Sequence, residues 1–497
     1  MSNSTSITLI DGVQIVVPDS LDLITPYVLT EQLDWFEDEI KFLRRLLRPG
    51  QKVIDIGANY GVYTLTMAQA VGQTGCVWAF EPASNTAKML ADGIAANGFS
   101  QVILEQCALS SASGTARLFL NEHSELNSLA PGGPLTSASE AVSVVTLDDC
   151  MKIQDWQDID FVKVDAEGEE SKILNGGKRF FKELSPLVQY EIKAGTDSNL
   201  HLADEFAELG YHSYRLIPGL DLLIPFDADS TPDGYLLNLF CCKHDRMERL
   251  AAQGSLLDPE ILSRTTGTDR FNNILELVDS DGPYDWRKSL VHCPYGRELA
   301  PLWELTMTID QSTGVGKGLA FYAISRDSSL SACERFTALE ASFSIFKPLC
   351  ERQPSYLRLA SLARVARDYG ARSIAVEALI KLLDAITQFN TLDMSEPFLS
   401  PTERFDSIPP GEAIGNWALA AILEGLEQLA SFSSFYTGES ARQRLEAIHS
   451  LGFGSKEMER RLSLVQKRFG LRSTSPKGSS GAGEQGAINF KEQSRPF

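Results

Sequence analysis

Three short stretches of this 497-residue chain carry residue types and spacings that could do chemistry. In KVIDIGANYGVY (52–63) an apolar run closes on Asp55, and Gly57, Asn59 and Gly61 follow at alternate positions. A strand that ends in an acid and a glycine turn brings main chain close to a ligand at the carboxyl end of a sheet. Gly57 permits the tight turn, Asn59 tolerates positive φ, and Gly61 lets the next helix approach closely. The pattern is not GxGxxG, which weakens a pyrophosphate reading. The second stretch, CVWAFEP, ends in Glu81-Pro82, about 25 residues beyond Gly57, the span of one βαβ unit. A carboxylate there can accept both hydroxyl hydrogens of a ribose and fits NAD or any other adenosine-bearing ligand. Pro82 suits the first turn of the helix after it. The third, DFVKVDAEGEE (160–170), groups Asp165, Glu167 and Glu169. Asp165 and Glu167 are the candidate base or metal ligands, whereas Glu169 and Glu170 suit the start of a helix, where acids are favoured.

These residues need a sheet to bring them together. Apolar runs at 52–56, 76–81, 101–107, 160–165 and 187–192 alternate with helical stretches, the pattern of a parallel sheet covered on both faces. Runs at 211–217 and 235–242 are separated only by a loop rich in Pro, Gly and Asp, so the last strand is expected to enter antiparallel. Ahead of the sheet, ITLIDGVQIVV (7–17) suggests a β-hairpin with Asp11-Gly12 as a two-residue turn. The segment LDWFEDEIKFLRRLL (33–47) suggests a helix that Pro49-Gly50 stops. After residue 245 the periodicity becomes helical, at about 330–350, 355–369, 372–388, 412–433, 440–450 and 455–469. Gly370 joins the second and third of these as a helical hairpin. No period of about 34 residues recurs, so a plain bundle fits as well as a solenoid. The expected division is 1–50 hairpin and lid helix, 51–245 α/β domain, 246–473 mainly helical domain, and a disordered tail at 474–497.

Composition narrows the partners. The formal charge of -21 gives no electrostatic footprint for nucleic acid or an anionic membrane. No apolar run approaches the roughly 18 residues of a membrane span, and the start lacks a basic region ahead of an apolar core, so a cytoplasmic location is expected. The eight cysteines show no CxxC or zinc spacing and suit reduced, buried thiols. STGVGKG (312–318) lacks the first glycine and the final Ser or Thr of a P-loop. His123 and His212 are weaker candidates for a base, because a lone histidine is more often structural. Loop 121–140 is long enough for a lid, with His123, Ser124 and Asn127 able to contact a polyol.

VIDIGANYGVYTL, VWAFEPASNTAKMLADGIAANG, CALSSASG, VTLDD, IDFVKVDAEGEESKILNGG and PLVQYEIK, in that order, resemble the motifs of the FkbM family of S-adenosylmethionine-dependent methyltransferases, from about 35 to 243. Glu170 and Asp149 depart from the family pattern without touching its cofactor motifs. The resemblance implies a seven-stranded class I methyltransferase (Rossmann-like) sheet of order 3-2-1-4-5-7-6, extended here by the hairpin, the first helix and the helical domain. It implies S-adenosyl-L-methionine as cofactor, with Gly57 and Gly61 making room for the methionine part, Asp55 and Asn59 beside it, Glu81 on the ribose and Ala108 bordering the adenine. It also implies O-methylation of a hydroxyl on a sugar, polysaccharide or glycosylated metabolite, with Asp165 or Glu167 taking the proton. Without a clear third ligand, no divalent metal is expected. The acceptor is expected to be a small molecule or glycan, and the helical domain to bind it or a partner enzyme. Two other readings remain: a catalytically weak cofactor-binding module on a helical scaffold, and an NAD-dependent oxidoreductase.

Overall fold

The computed structural model describes residues 3–129, 138–194, 197–260, 267–278, 284–309, 314–352, 356–389 and 394–469. The chain opens with the antiparallel hairpin of β1 (Ser4–Thr8) and β2 (Gln14–Pro18). Its turn is longer than expected: the Leu9 N–H donates to the Val13 carbonyl at 2.8 Å across residues 10–12, and Gly12 holds φ 89°. Glycine in the left-handed position is what such a loop asks for. α1 (Ile24–Gln32) follows, a helix not expected from the sequence. The helix expected over 33–47 is confined to α2 (Asp38–Leu46). Leu33 ends α1 at φ 55°, and Asp34 is held by Arg44 at 2.7 and 2.8 Å, so residues 33–37 form an irregular arm.

The α/β domain is built from β3 (Lys52–Ile56), α3 (Val62–Val71), β4 (Cys76–Phe80), α4 (Ser84–Asn97) and β5 (Val102–Glu105). A side sheet of β6 (Ala108–Leu109), β7 (Gly114–Phe119) and β8 (Ser139–Val145) precedes α5 (Leu147–Ile153). Then come β9 (Phe161–Val164), α6 (Glu170–Gly176), α7 (Lys178–Glu183) and β10 (Leu187–Glu191). After a two-residue ribbon, β11 (Lys193–Ala194) and β12 (Asp197–Ser198), the chain runs through α8 (His201–Glu208), β13 (His212–Ile217), β14 (Leu222–Pro225), β15 (Asn238–Cys242) and α9 (His244–Ala252). The main sheet has the order β14-β13-β15-β10-β9-β3-β4-β5. Leaving β14 aside and counting along the chain, this is the 3-2-1-4-5-7-6 order, with β15 antiparallel to both neighbours. Val53, Leu65 and Val77 pack on one face, and Ile54, Val162 and Phe180 on the other.

β14 is an eighth strand, hidden from sequence reading in the Pro-, Gly- and Asp-rich connection. Its alternation has a tertiary cause. Leu222 and Ile224 join the core of the helical domain, and Leu223 faces the core of the sheet. That domain comprises α10 (Gly267–Leu275), α11 (Trp286–Leu290), α12 (Pro294–Ile309), α13 (Val315–Arg326), α14 (Ala332–Arg352), α15 (Tyr356–Tyr369), α16 (Arg372–Phe389), α17 (Ile414–Leu429), α18 (Ser434–Thr437), α19 (Glu439–Ser450) and α20 (Lys456–Arg468). The helices α10–α13 were not expected. In α13 the glycines of the P-loop look-alike obscure the helix, and Gly318 serves packing, since a Cβ there would lie 2.7 Å from the Phe346 ring. The tail from 474 on lies outside the described residues.

The two domains are clamped together. The Gly219 N–H, in the β13–β14 turn, donates to the Asp368 carbonyl of α15 at 2.9 Å, and a Cβ on Gly219 would meet the Asp368 side chain at 2.4 Å. At the other end Arg461 of α20, 2% exposed, pairs with Glu31 of α1 and Glu457 at 2.9 Å and reaches Glu427 at 3.4 Å. Removing the cation strands buried carboxylates. Arg461→Met is therefore expected to destabilise the chain by about 3–5 kcal/mol, measured by chemical denaturation. A change under about 1 kcal/mol would mean that the clamp contributes little.

Candidate active site

Most of the sequence-predicted site residues converge at the carboxyl end of β3, β4 and β9. The Gly57 and Ala58 N–H groups both donate to the Phe80 carbonyl at 3.0 Å, which ties the first loop to β4. Gly57 sits at φ 80°, and a Cβ on it would lie 1.8 Å from the Asp165 carbonyl oxygen. No other residue fits this approach of the β3 and β9 ends. Asn59 adopts φ 48°, and its N–H donates to Glu81 Oε2 at 2.9 Å. The Ala83 N–H donates to Glu81 Oε1 at 2.8 Å. Glu81 thus bridges two loops, each oxygen keeping a lone pair for a ligand. Burial pushes its carboxyl up to about 7.

Asp55 is fully buried; its Oδ2 accepts the Thr64 hydroxyl at 2.6 Å, and its Oδ1 has no partner among the described residues. Burial raises this carboxyl as well. A buried acceptor without a donor is costly unless something supplies one, so Asp55 fits a cationic or N–H-bearing ligand. Gly61 differs from its neighbours. It is not among the residues lining the pocket, and a Cβ on it would lie 2.3 Å from Leu90 Cδ1, so its glycine serves the contact between α3 and α4.

On β9 and its loop, Asp165 Oδ2 lies 2.5 Å from Lys163 Nζ, which stands 4.7 Å over the Tyr63 ring. Burial opposes the Lys163 charge, but Asp165, Asp55 and Glu37 more than offset it and hold the ammonium protonated. Glu167 adopts φ 47°, and burial, Asp165 and Glu170 push its carboxyl up to about 8. Glu169 and Glu170 shape the loop: Glu170 Oε1 accepts the Ala166 and Gly168 N–H groups at 2.9 and 3.2 Å, and Glu169 bonds Ser110 and Lys172.

Two acids join the site that sequence reasoning missed. Glu191, at the end of β10, brings a carboxylate oxygen within 4.8 Å of one from Asp165 and one from Glu167. Burial, with Asp165 and Glu167 beside it, pushes its carboxyl up to about 10. The third carboxylate that the sequence did not show is therefore present, although Lys163 already occupies one oxygen of Asp165. Glu37, on the arm before α2, accepts the Tyr63 hydroxyl and the Asn238 amide (3.3 Å), while Gln189 donates to Tyr63 at 3.1 Å. A strand-end position marks Glu191 in the sequence; nothing local marks Glu37.

Ala108 borders the pocket with Phe80, Pro82, Cys107 and Leu118, an apolar surface suited to a base. The 121–129 loop closes over it. Ser124 donates to Asn59 Oδ1 at 3.0 Å, and the Thr25 N–H of α1 donates to Glu125 at 3.1 Å. The cavity is about 150 Å³, below the roughly 300 Å³ at which small-molecule pockets begin. Ser124 and Asn127 line it; His123 instead lies edge-on to Phe435, with ring centroids 5.8 Å apart. His212 pairs with Cys242 between β13 and β15 and does not line the pocket. Neither histidine is placed to act as a base.

Among solved structures, an FkbM methyltransferase from Methylobacillus flagellatus is 19% identical, with 39% of this chain and 43% of that chain covered and a TM-score of 0.28. This chain thus spans less than half the length of that relative. An S-adenosylmethionine-dependent O-methyltransferase from Thermotoga maritima is 14% identical, covering 46% and 73%, with a TM-score of 0.24. The M. jannaschii protein TYW2, in complex with S-adenosylmethionine, is 12% identical, covering 49% and 85%, with a TM-score of 0.27. No curated protein matches the chain. Among the described residues no helix is long and apolar enough to cross a membrane. Residues 55–213 match the family model of the methyltransferase FkbM domain. With the strand order 3-2-1-4-5-7-6 and the DxGANxG, FEP and KxDxEGxE motifs at its strand ends, that part of the chain carries a methyltransferase FkbM domain.

Proposed function

We propose that the chain methylates a hydroxyl on a sugar, polysaccharide or glycosylated metabolite. The observation that carries this reading is an acid-rich pocket that gathers Asp55, Glu81, Asp165 and Glu167 at one end of the sheet, with Glu191 beside the last two. S-adenosylmethionine supplies, when bound, an electrophilic methyl group on a sulfonium. Glu81 accepts the ribose hydroxyls, the apolar wall at Ala108 takes the adenine, and Asp55, with its free Oδ1, takes the ammonium of the methionine part. Gly57 and Asn59 keep the main chain close to that part. Opening of the 121–129 loop admits the ligand, and its closure excludes water.

The acceptor hydroxyl attacks in line. With the cofactor bound, the oxygen would take the methyl group while the S–CH₃ electron pair stays on sulfur, and the hydroxyl proton would go to a carboxylate. Glu167 is the residue proposed for that step: its raised carboxyl is mostly protonated in the empty site at neutral pH, and a bound organic cation favours the ionised form that can take the proton. Asp165, fixed by Lys163, stands beside it. Calorimetry with S-adenosylmethionine is the first test, with micromolar binding expected. Absence of binding, or displacement by nicotinamide cofactors, would remove the reading. If binding occurs, transfer of labelled methyl to periodate-sensitive sugar material, and not to protein or RNA, is the expected outcome.

A further inference from the structure

A second cavity lies apart from the cofactor pocket. A space of about 820 Å³ lies between the edge of the sheet and the helical domain. Glu37 lines both cavities. Trp35, in the cofactor pocket, and Phe36, in the larger cavity, have ring centroids 4.6 Å apart and form the partition. Acids and arginines both line the cavity. Glu37 and Glu39 come from the arm and α2. Burial and the neighbouring Glu37 push the Glu39 carboxyl up to about 8, and no side-chain hydrogen bond to it is present among the described residues.

Arg215 of β13 and Arg372 of α16 also line it. Arg215 lies over the Tyr369 ring at 5.0 Å, and Arg372 lies over Tyr235 and Phe432 at 4.7 and 4.4 Å. Each spends part of its donor fork on helix-end carbonyls: Arg215 Nη1 donates to Tyr369 at 3.0 Å, and Arg372 Nε donates to Leu429 at 2.8 Å. Neither forms an ion pair among the described residues. Their neighbours Arg367 and Arg461 do, with Asp368 at 3.0 Å and with Glu31 at 2.9 Å. Burial accordingly lowers both Arg215 and Arg372, the latter to about 10, whereas the paired arginines are raised. Asp38 and Asp233 act on Arg372, and Glu340 and Asp233 on Arg215, but none of them forms a contact ion pair with either arginine among the described residues, so two stacked, pre-oriented guanidiniums beside open space keep donors for an anion.

We propose that this cavity is the acceptor site and takes a polyhydroxylated molecule bearing a phosphate or carboxylate. The anion sits on Arg215 and Arg372, and the hydroxyls run towards Glu39 and Glu37 and so towards the cofactor. The word acceptor rests on the methyltransferase reading; the anion site does not.

Calorimetric titration of the full chain with glucose 6-phosphate, glucuronate, glucose and inorganic phosphate tests it. At least one of the two anionic sugars is expected to bind at least tenfold more tightly than glucose and than inorganic phosphate, and the stronger of them names the anion. Arg215→Met is expected to weaken that sugar at least tenfold while leaving S-adenosylmethionine affinity within twofold. Because Arg372 also caps α17, Arg372→Lys, which keeps the charge, serves as the second variant and is expected to lose less than Arg215→Met. Equal binding of glucose, equal binding of free phosphate, or unchanged affinity in Arg215→Met each overturns the proposal. Sugar binding without any S-adenosylmethionine binding would overturn the methyltransferase reading and leave this site standing.

Discussion

Glu81→Ala is expected to weaken S-adenosylmethionine binding by about two to four orders of magnitude. The carboxylate makes two kinds of bond. Its outer lone pairs are the proposed partners of the ribose hydroxyls, and hydrogen bonds to a charged group contribute about 1.5–3 kcal/mol each. Two of them amount to about 3–6 kcal/mol, at about 1.4 kcal/mol per tenfold in affinity. Its other lone pairs hold the Asn59 and Ala83 N–H groups, so truncation also loosens the loop that shapes the methionine end. Glu81→Gln is the control: it keeps one acceptor and the shape, and should fall between Ala and the native residue. Calorimetry measures all three. An affinity in Glu81→Ala within threefold of native would show that the ribose is held elsewhere.

The same carboxylate sets a pH signature. Glu81 is raised in the folded protein by burial, so the stability tied to its protonated form is present below the ordinary carboxylate range and is lost as pH rises through about 7. A cofactor that needs Glu81 ionised therefore releases protons on binding near neutral pH. The observed heat should then change with the ionisation enthalpy of the buffer.

How far the sequence showed this site depends on whether a residue's role is local. Gly57, Asn59 and Glu81 were legible because a glycine turn and an acid at a strand end are determined within a few residues. The assignment of Gly61 to the cofactor mixed two roles that sequence cannot separate, approach to a ligand and approach to a helix; Leu90 decides for the helix. Glu37 was invisible for the opposite reason. It reaches the site only because Leu33 turns left-handed and Arg44 holds Asp34, which brings the arm back over Tyr63. β14 was lost in a loop-like composition, since its alternation answers to a helical core contributed by residues from Leu257 to Leu426. The Arg215–Arg372 pair of the large cavity needs both domains and their clamp before it exists.

Glu167→Gln is expected to lower turnover by about 10²–10⁴-fold, the range for loss of a positioned base, with S-adenosylmethionine affinity changed by less than about tenfold. This is the reverse of the Glu81 result, and the contrast separates the two proposed roles. Asp165→Asn should cost both, because Asp165 is the partner of Lys163 and its main chain abuts Gly57. The pH dependence follows from the environment of Glu167. Burial and the neighbouring acids raise its carboxyl to about 8 in the free protein, so the basic form accumulates as pH rises through that value. A bound organic cation favours the ionised form and moves the midpoint down. With cofactor saturating, kcat should rise with pH along a limb centred below 8, and that limb should vanish in Glu167→Gln, leaving a low, flat rate. A limb that survives the substitution unchanged would move the base to Asp165 or Glu191. If turnover is lost together with cofactor affinity, Glu167 holds the ligand and does not take the proton.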